Sequence, residues 1–134
     1  MSTYVYIGLG GIVGSLLRFL VSTLCVLLWG NQFPIGTLIV NLIGAFILGW
    51  LTKGVFSRKS FDPRMSAAIG TGIIGSFTTL STLSMDMIKL VDQGFFQKAV
   101  FYMFISLFGG LLAASSGYFL GEKQLERANE HDRA

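Results

Sequence analysis

Charge is scarce in this chain: of its 134 residues only 13% are Asp, Glu, Lys or Arg, about half the share that a water-soluble domain carries. No acidic residue occurs before Asp62. The one histidine, His131, lies close to the C-terminus, and no nucleophile is paired with a base anywhere, so the sequence offers no catalytic constellation. The one cysteine, Cys25, sits in an apolar stretch, which excludes an internal disulfide and leaves the redox compartment unread. No linker, low-complexity segment or second domain interrupts the chain. No small-residue cleavage site follows the first apolar stretch, so that stretch is read as a retained span rather than a signal peptide. The formal charge of +3 does not signal nucleic acid as a partner, because the basic residues flank apolar runs and form no stripe interleaved with exposed aromatics.

What the chain does have is apolar length. Hydrophobic residues make up 52% of it, and mean hydropathy is +0.66. Four runs, over residues 4–28, 35–56, 65–90 and 95–120, each approach or exceed the roughly 20 residues that cross a hydrocarbon core. The fold class expected is therefore all-α: one four-helix transmembrane domain over residues 1–134. A tight turn at 30–34 joins the first two runs, and a basic segment at 57–64 leads through Asp62-Pro63 into the third. The tail 122–134 is charged throughout and is expected to fray into water. Trp29 and Trp50, near run ends, read as interfacial anchors.

Seventeen glycines call for an account, since glycine weakens a helix in water. In lipid they let backbones touch, and Gly10/Gly14 and Ala113/Gly117/Gly121 are small-xxx-small faces of that kind. The third run is different. Gly70, Gly72 and Gly75 are followed by Thr78, Thr79, Ser81, Thr82 and Ser84, all at bilayer depth. Such a segment either bonds its hydroxyls back to its own carbonyls as a crowded helix, or breaks near 75–79 and presents freed backbone to a cavity or a cation. Two ionisable residues fall inside runs. Arg18 either snorkels or serves a pathway; Asp86 either pairs with Lys89 one turn on or serves a pathway. Asn41, in the second run, is a buried amide that must find partners.

In order and spacing these segments resemble the Fluc (CrcB) family of fluoride channels over nearly the whole chain. The first run carries Gly14-xxx-Arg18. The second carries the G-T-L-x-V-N-x-x-G element as Gly36, Thr37, Leu38, Val40, Asn41 and Gly44. The third carries Thr78, Thr79, Leu80, Ser81, Thr82, Leu83, Ser84 after its glycines, and the fourth carries Tyr102 and Ser106 one turn apart. The resemblance implies a broken third helix and an antiparallel dimer of four-helix subunits. It implies pores along the subunit interface and a central, structural Na+ held by the backbone carbonyls of Gly75 and Thr78. It implies a fluoride pathway past Asn41, Ser81, Thr82, Ser84, Asp86, Tyr102 and Ser106, with Arg18 in a vestibule. Fluoride is strongly hydrated, so a pore must replace its water with donors, which these amide and hydroxyl groups are. Transport would be passive export of cytoplasmic fluoride, with no nucleotide or redox cofactor.

The chain departs from the family at Leu80 and Leu83, where the family has the phenylalanines whose ring edges meet the anion. Leucine keeps the volume and lacks the aromatic quadrupole. Loop charge adds a second feature. Lys53, Arg58, Lys59, Arg64, Lys123, Arg127 and Arg133 lie on the side of both termini, against Lys89 and Lys98 on the other. Seven against two is a positive-inside bias that places both termini in the cytoplasm of a cell-membrane protein with one orientation. An antiparallel dimer then calls for a paralogous chain of opposite orientation, the homodimer being the alternative. Two further readings account for less of the sequence. A small multidrug-type exporter has the same architecture but depends on an acidic residue in its first span, which is missing here. A non-conducting assembly subunit leaves Arg18, Asn41 and the hydroxyls of 78–84 without a task.

Overall fold

The computed structural model describes residues 2–134, and among them every regular element is helical. Helix α1 (Thr3–Trp29) ends at Gly30, whose φ of 79° reverses the chain at a cost only glycine escapes. Helix α2 (Ile35–Gly54) follows Pro34. Asp62 starts the next segment by accepting the Arg64 N–H at 2.9 Å, with Pro63 in the first turn, where its missing donor is no loss. That segment is helical in pieces: α3 (Pro63–Ala67), a π-helical run (Ala68–Ile74), α4 (Gly75–Phe77) and α5 (Leu80–Asp92). A turn at Gly94, φ 85°, leads into α6 (Phe96–Arg133).

By length and composition three of these helices can cross a membrane among the described residues: α1, α2 and α6. The expected run over 65–90 is helical as well, but no single piece of it has the length of a span. At the other extreme, α6 does not fray at 122. It continues for 38 residues to Arg133. The Trp50 indole N–H donates to Gln124 Oε1 at 2.8 Å and holds the first turn of the tail, while Leu125 and Ala128 are half-buried. Further on, Lys123/Glu126, Arg127/Glu130 and Glu130/Arg133 set opposite charges at i to i+3, a spacing that supports a helix in water.

Small residues set the packing. The most extensive contacts join α2 to α6 and α1 to the π-helical run. A Cβ at Gly117 would run into the Phe46 carbonyl and come within 3.0 Å of the Trp50 nitrogen, and one at Gly121 would meet Gly54 N at 2.8 Å. Gly10 and Gly14 stand in the same relation to the carbonyls of Ala68 and Ile73. Both glycine faces read from the sequence are thus contact faces. Outward, α1 and α6 expose Leu16, Phe19, Leu27, Phe101, Phe108 and Leu112, a surface that only lipid or another apolar partner can cover. The glycine contacts give a test. Gly117→Ala forces backbone apart and should lower stability by about 1–3 kcal/mol. Gly8→Ala, with nothing within 4 Å of the new methyl, should leave it unchanged or slightly raised. Thermal unfolding in detergent distinguishes the two.

Candidate functional site at the interrupted helix

Residues Thr37, Asn41 and Gly44 fall at i, i+4 and i+7 on α2 and so share one face. That face meets the third segment where its helix stops. Thr78 (φ −80°, ψ 156°) and Thr79 (φ −153°, ψ 121°) are extended between α4 and α5. Gly44 makes room for the Thr78 methyl, which a Cβ would strike. One turn earlier, Asn41 treats Thr79 as a β-strand neighbour would: Oδ1 accepts the Thr79 N–H at 2.7 Å, and Nδ2 donates to the Thr79 carbonyl at 3.0 Å. Both backbone polar groups of Thr79 are thus bonded by one side chain.

The remaining bonds of this segment fix which carbonyls go without. In a continued helix the Thr79 N–H would return to the Gly75 carbonyl, four residues back; here it goes to Asn41. The Thr82 N–H would return to the Thr78 carbonyl; here it caps α5 by donating to Thr79 Oγ1 at 3.2 Å. Gly75 and Thr78 therefore each lose the i+4 donor of a continuous helix. Asn41, Gly44, Gly75, Thr78, Thr79 and Leu80 line a recess of about 480 Å³. On the far side of α5's first turn, Ser22, Cys25, Thr37, Thr82, Asp86 and Lys89 line a second recess of about 280 Å³. Thr79 Oγ1 donates to Thr82 Oγ1 at 3.1 Å and lies 3.3 Å from Ser81 Oγ, so a short chain of hydroxyls links the two recesses.

Asp86 resolves one of the open alternatives. Among the described residues it makes no ion pair with Lys89. Its Oδ2 accepts from Thr37 Oγ1 at 2.8 Å, with the Tyr102 hydroxyl at 3.5 Å. Tyr102 is fully buried, packed with Leu90 and Ala99 and edge-on to Phe33 at 5.5 Å. Leu83 packs against that same cluster, whereas Leu80 is 77% exposed. The two leucines of the motif thus have different surroundings. Ser81 and Thr82 are exposed, and Ser84, also exposed, bonds back to the Leu80 carbonyl at 3.0 Å. Ser106 Oγ is buried without a partner among the described residues. Arg18 is half-buried on α1.

The sequence singles out Asn41, Gly75 and Thr78 and includes Thr79 in the motif, but does not show the bonds of Thr79 to Asn41 or the pairing of Thr37 with Asp86. The signals were present: Thr37 is one turn from Asn41, and Thr79 precedes Thr82 at the spacing of an N-cap and its N3 residue. Removing the Thr37 hydroxyl takes a hydrogen bond from a carboxylate, so Thr37→Val should destabilise the fold by about 1.5–3 kcal/mol. Tyr102→Phe, which loses only the longer contact, should cost clearly less. Thermal unfolding of both variants in detergent checks the order.

Comparison with known proteins places these motifs. The chain matches the family described as CrcB-like protein, Camphor Resistance (CrcB), over residues 5–118. It is 39% identical to fluoride-specific ion channel FluC 1 of Bacillus cereus (strain ATCC 10987 / NRS 248), over 89% of this chain and 87% of that one. It is 40% identical to fluoride-specific ion channel FluC 2 of Geobacillus kaustophilus, over 86% and 89% of the two chains. With fluoride-specific ion channel FluC of Vibrio cholerae it shares 42% identity, over 84% and 90%. Matched from α1 to near the end of the apolar part of α6, and similar throughout to chains of nearly its own length, this multi-pass membrane protein belongs to the CrcB-like family.

Proposed function

We propose that the chain is a subunit of a fluoride-selective anion channel that lets cytoplasmic fluoride leave passively, down its electrochemical gradient, and so lowers fluoride toxicity. It is no enzyme. The observation that carries this reading is the interruption at Thr78 and Thr79, held by Asn41 beside a chain of hydroxyls, in a chain whose relatives are named fluoride-specific ion channels. Interrupted backbone within a span is tolerated only where protein or water covers it, because an unsatisfied carbonyl facing lipid costs several kcal/mol. Donors of the sort a dehydrated fluoride needs stand next to it in the Ser81 and Thr82 hydroxyls, and Ser106 Oγ, one turn from Tyr102, is without a partner among the described residues. Arg18 supplies positive charge in an aqueous vestibule.

The Gly75 and Thr78 carbonyls, short of helical donors, are suited to a hard monovalent cation, which takes oxygen ligands. They are the residues to hold a structural Na+, whose charge would offset the two carbonyl dipoles. Both also line a recess open on one side, as expected of a face completed by a second subunit in an antiparallel dimer. The positive-inside count favours one orientation in the cell membrane with both termini cytoplasmic. That count, with Leu80 and Leu83 in place of the family's aromatics, favours a paralogous partner of opposite orientation over a homodimer. Leu80, largely exposed beside the Asn41 recess, is the one of the two leucines placed to face a pore or partner.

Liposomes containing the assembled channel should release fluoride and retain chloride when read with ion-selective electrodes. Equal efflux of the two halides contradicts the fluoride assignment. Expressed alone, the chain should rescue a fluoride-sensitive cell poorly, and co-expression with an oppositely biased paralogue should restore resistance. Full rescue by the chain alone would show that it forms a working homodimer.

A further inference from the structure

Resting on the channel reading, we infer that Thr79 is a positioning residue that sets the cation ligands and the anion path at once. Its N–H and its hydroxyl each divert a bond that a continuous helix would have made. Its N–H goes to Asn41 Oδ1 at 2.7 Å, which releases the Gly75 carbonyl. Its Oγ1 takes the Thr82 N–H at 3.2 Å, which releases the Thr78 carbonyl. The same Oγ1 donates its own proton to Thr82 Oγ1 at 3.1 Å and has Ser81 Oγ at 3.3 Å. One hydroxyl thus holds open an acceptor on the cation side and orders two hydroxyls on the anion side. Its carbonyl, bonded to Asn41 Nδ2 at 3.0 Å, ties the whole to α2. An extended β-branched residue suits the position sterically, but valine would have the shape without the acceptor.

The substitutions separate the hydroxyl from the shape. In Thr79→Val the Thr82 N–H has no cap and is free to return to the Thr78 carbonyl; Thr79→Ser keeps the cap. Sodium that binds only the folded channel raises its melting temperature, and this response needs no fluoride. The assembled channel in detergent is melted across a range of sodium chloride, with N-methylglucamine chloride holding ionic strength constant. The wild-type chain and Thr79→Ser should show the sodium response. Thr79→Val should need roughly tenfold more sodium for it, the worth of about one hydrogen bond. Thr82→Val keeps its N–H on Thr79 and loses only the hydroxyl, so its sodium midpoint should stay at the wild-type value while fluoride efflux falls. An unshifted sodium midpoint in Thr79→Val overturns the inference, as does an equal shift in Thr79→Ser or Thr82→Val, or the lack of any sodium response in the wild type. Fluoride efflux of the wild-type channel, measured in parallel, reports on the channel reading separately.

Discussion

Two hydrogen bonds from one amide side chain make the interruption between α4 and α5 tolerable. A residue that leaves a helix at membrane depth strands its N–H, and lipid supplies no acceptor in return. Asn41 accepts that N–H from Thr79 at 2.7 Å and, in the geometry of a neighbouring strand, also donates to the Thr79 carbonyl at 3.0 Å. Once that peptide is fixed, the rest of the site follows: Gly44 must be small for Thr78 to fit, α5 must start at Leu80 under a Thr79 cap, and the Gly75 and Thr78 carbonyls must look elsewhere. Thr37, one turn before Asn41, then reaches Asp86 on the helix so placed.

The scaffold around this point relies on closeness more than on apolar burial. Few side chains are buried within the subunit, Val40 and Tyr102 being the largest that are fully so. Where lipid is as apolar as leucine, helices gain by touching rather than by leaving the solvent. Glycines at the α2–α6 and α1–π contacts bring backbones together, and the π-helical turn widens the third segment where it lies against α1. Such a chain leaves most of its large apolar side chains facing outward, which suits a multi-pass membrane protein.

The sequence made the four apolar runs, the glycine contact faces and the motif residues legible because each is a matter of composition or of fixed spacing. It named Gly75 and Thr78 only through family resemblance; the hydrogen bonds show that both carbonyls lose the i+4 donor of a continuous helix. Other features depend on contacts between segments far apart in the chain. Thr37 and Asp86 are 49 positions apart, and nothing local says that the carboxylate will choose a threonine over Lys89. The burial of Tyr102, the packing of Leu83 against its cluster and the exposure of Leu80 follow from how the segments come together in space. The tail misled for a similar reason. Its charge suggested fraying, while the bond between Trp50 and Gln124 is made 74 residues away in sequence.

The claim on which the rest stands is that Asn41 must present a donor and an acceptor together. Asn41→Asp keeps the acceptor for the Thr79 N–H, removes the donor from the Thr79 carbonyl and sets a negative charge beside the proposed anion path. The direct measurement is the rate of fluoride efflux from liposomes carrying the assembled channel with this one substitution. The account predicts that efflux is abolished while the protein still assembles. Efflux at the wild-type rate would contradict it and reduce Asn41 to packing between helices.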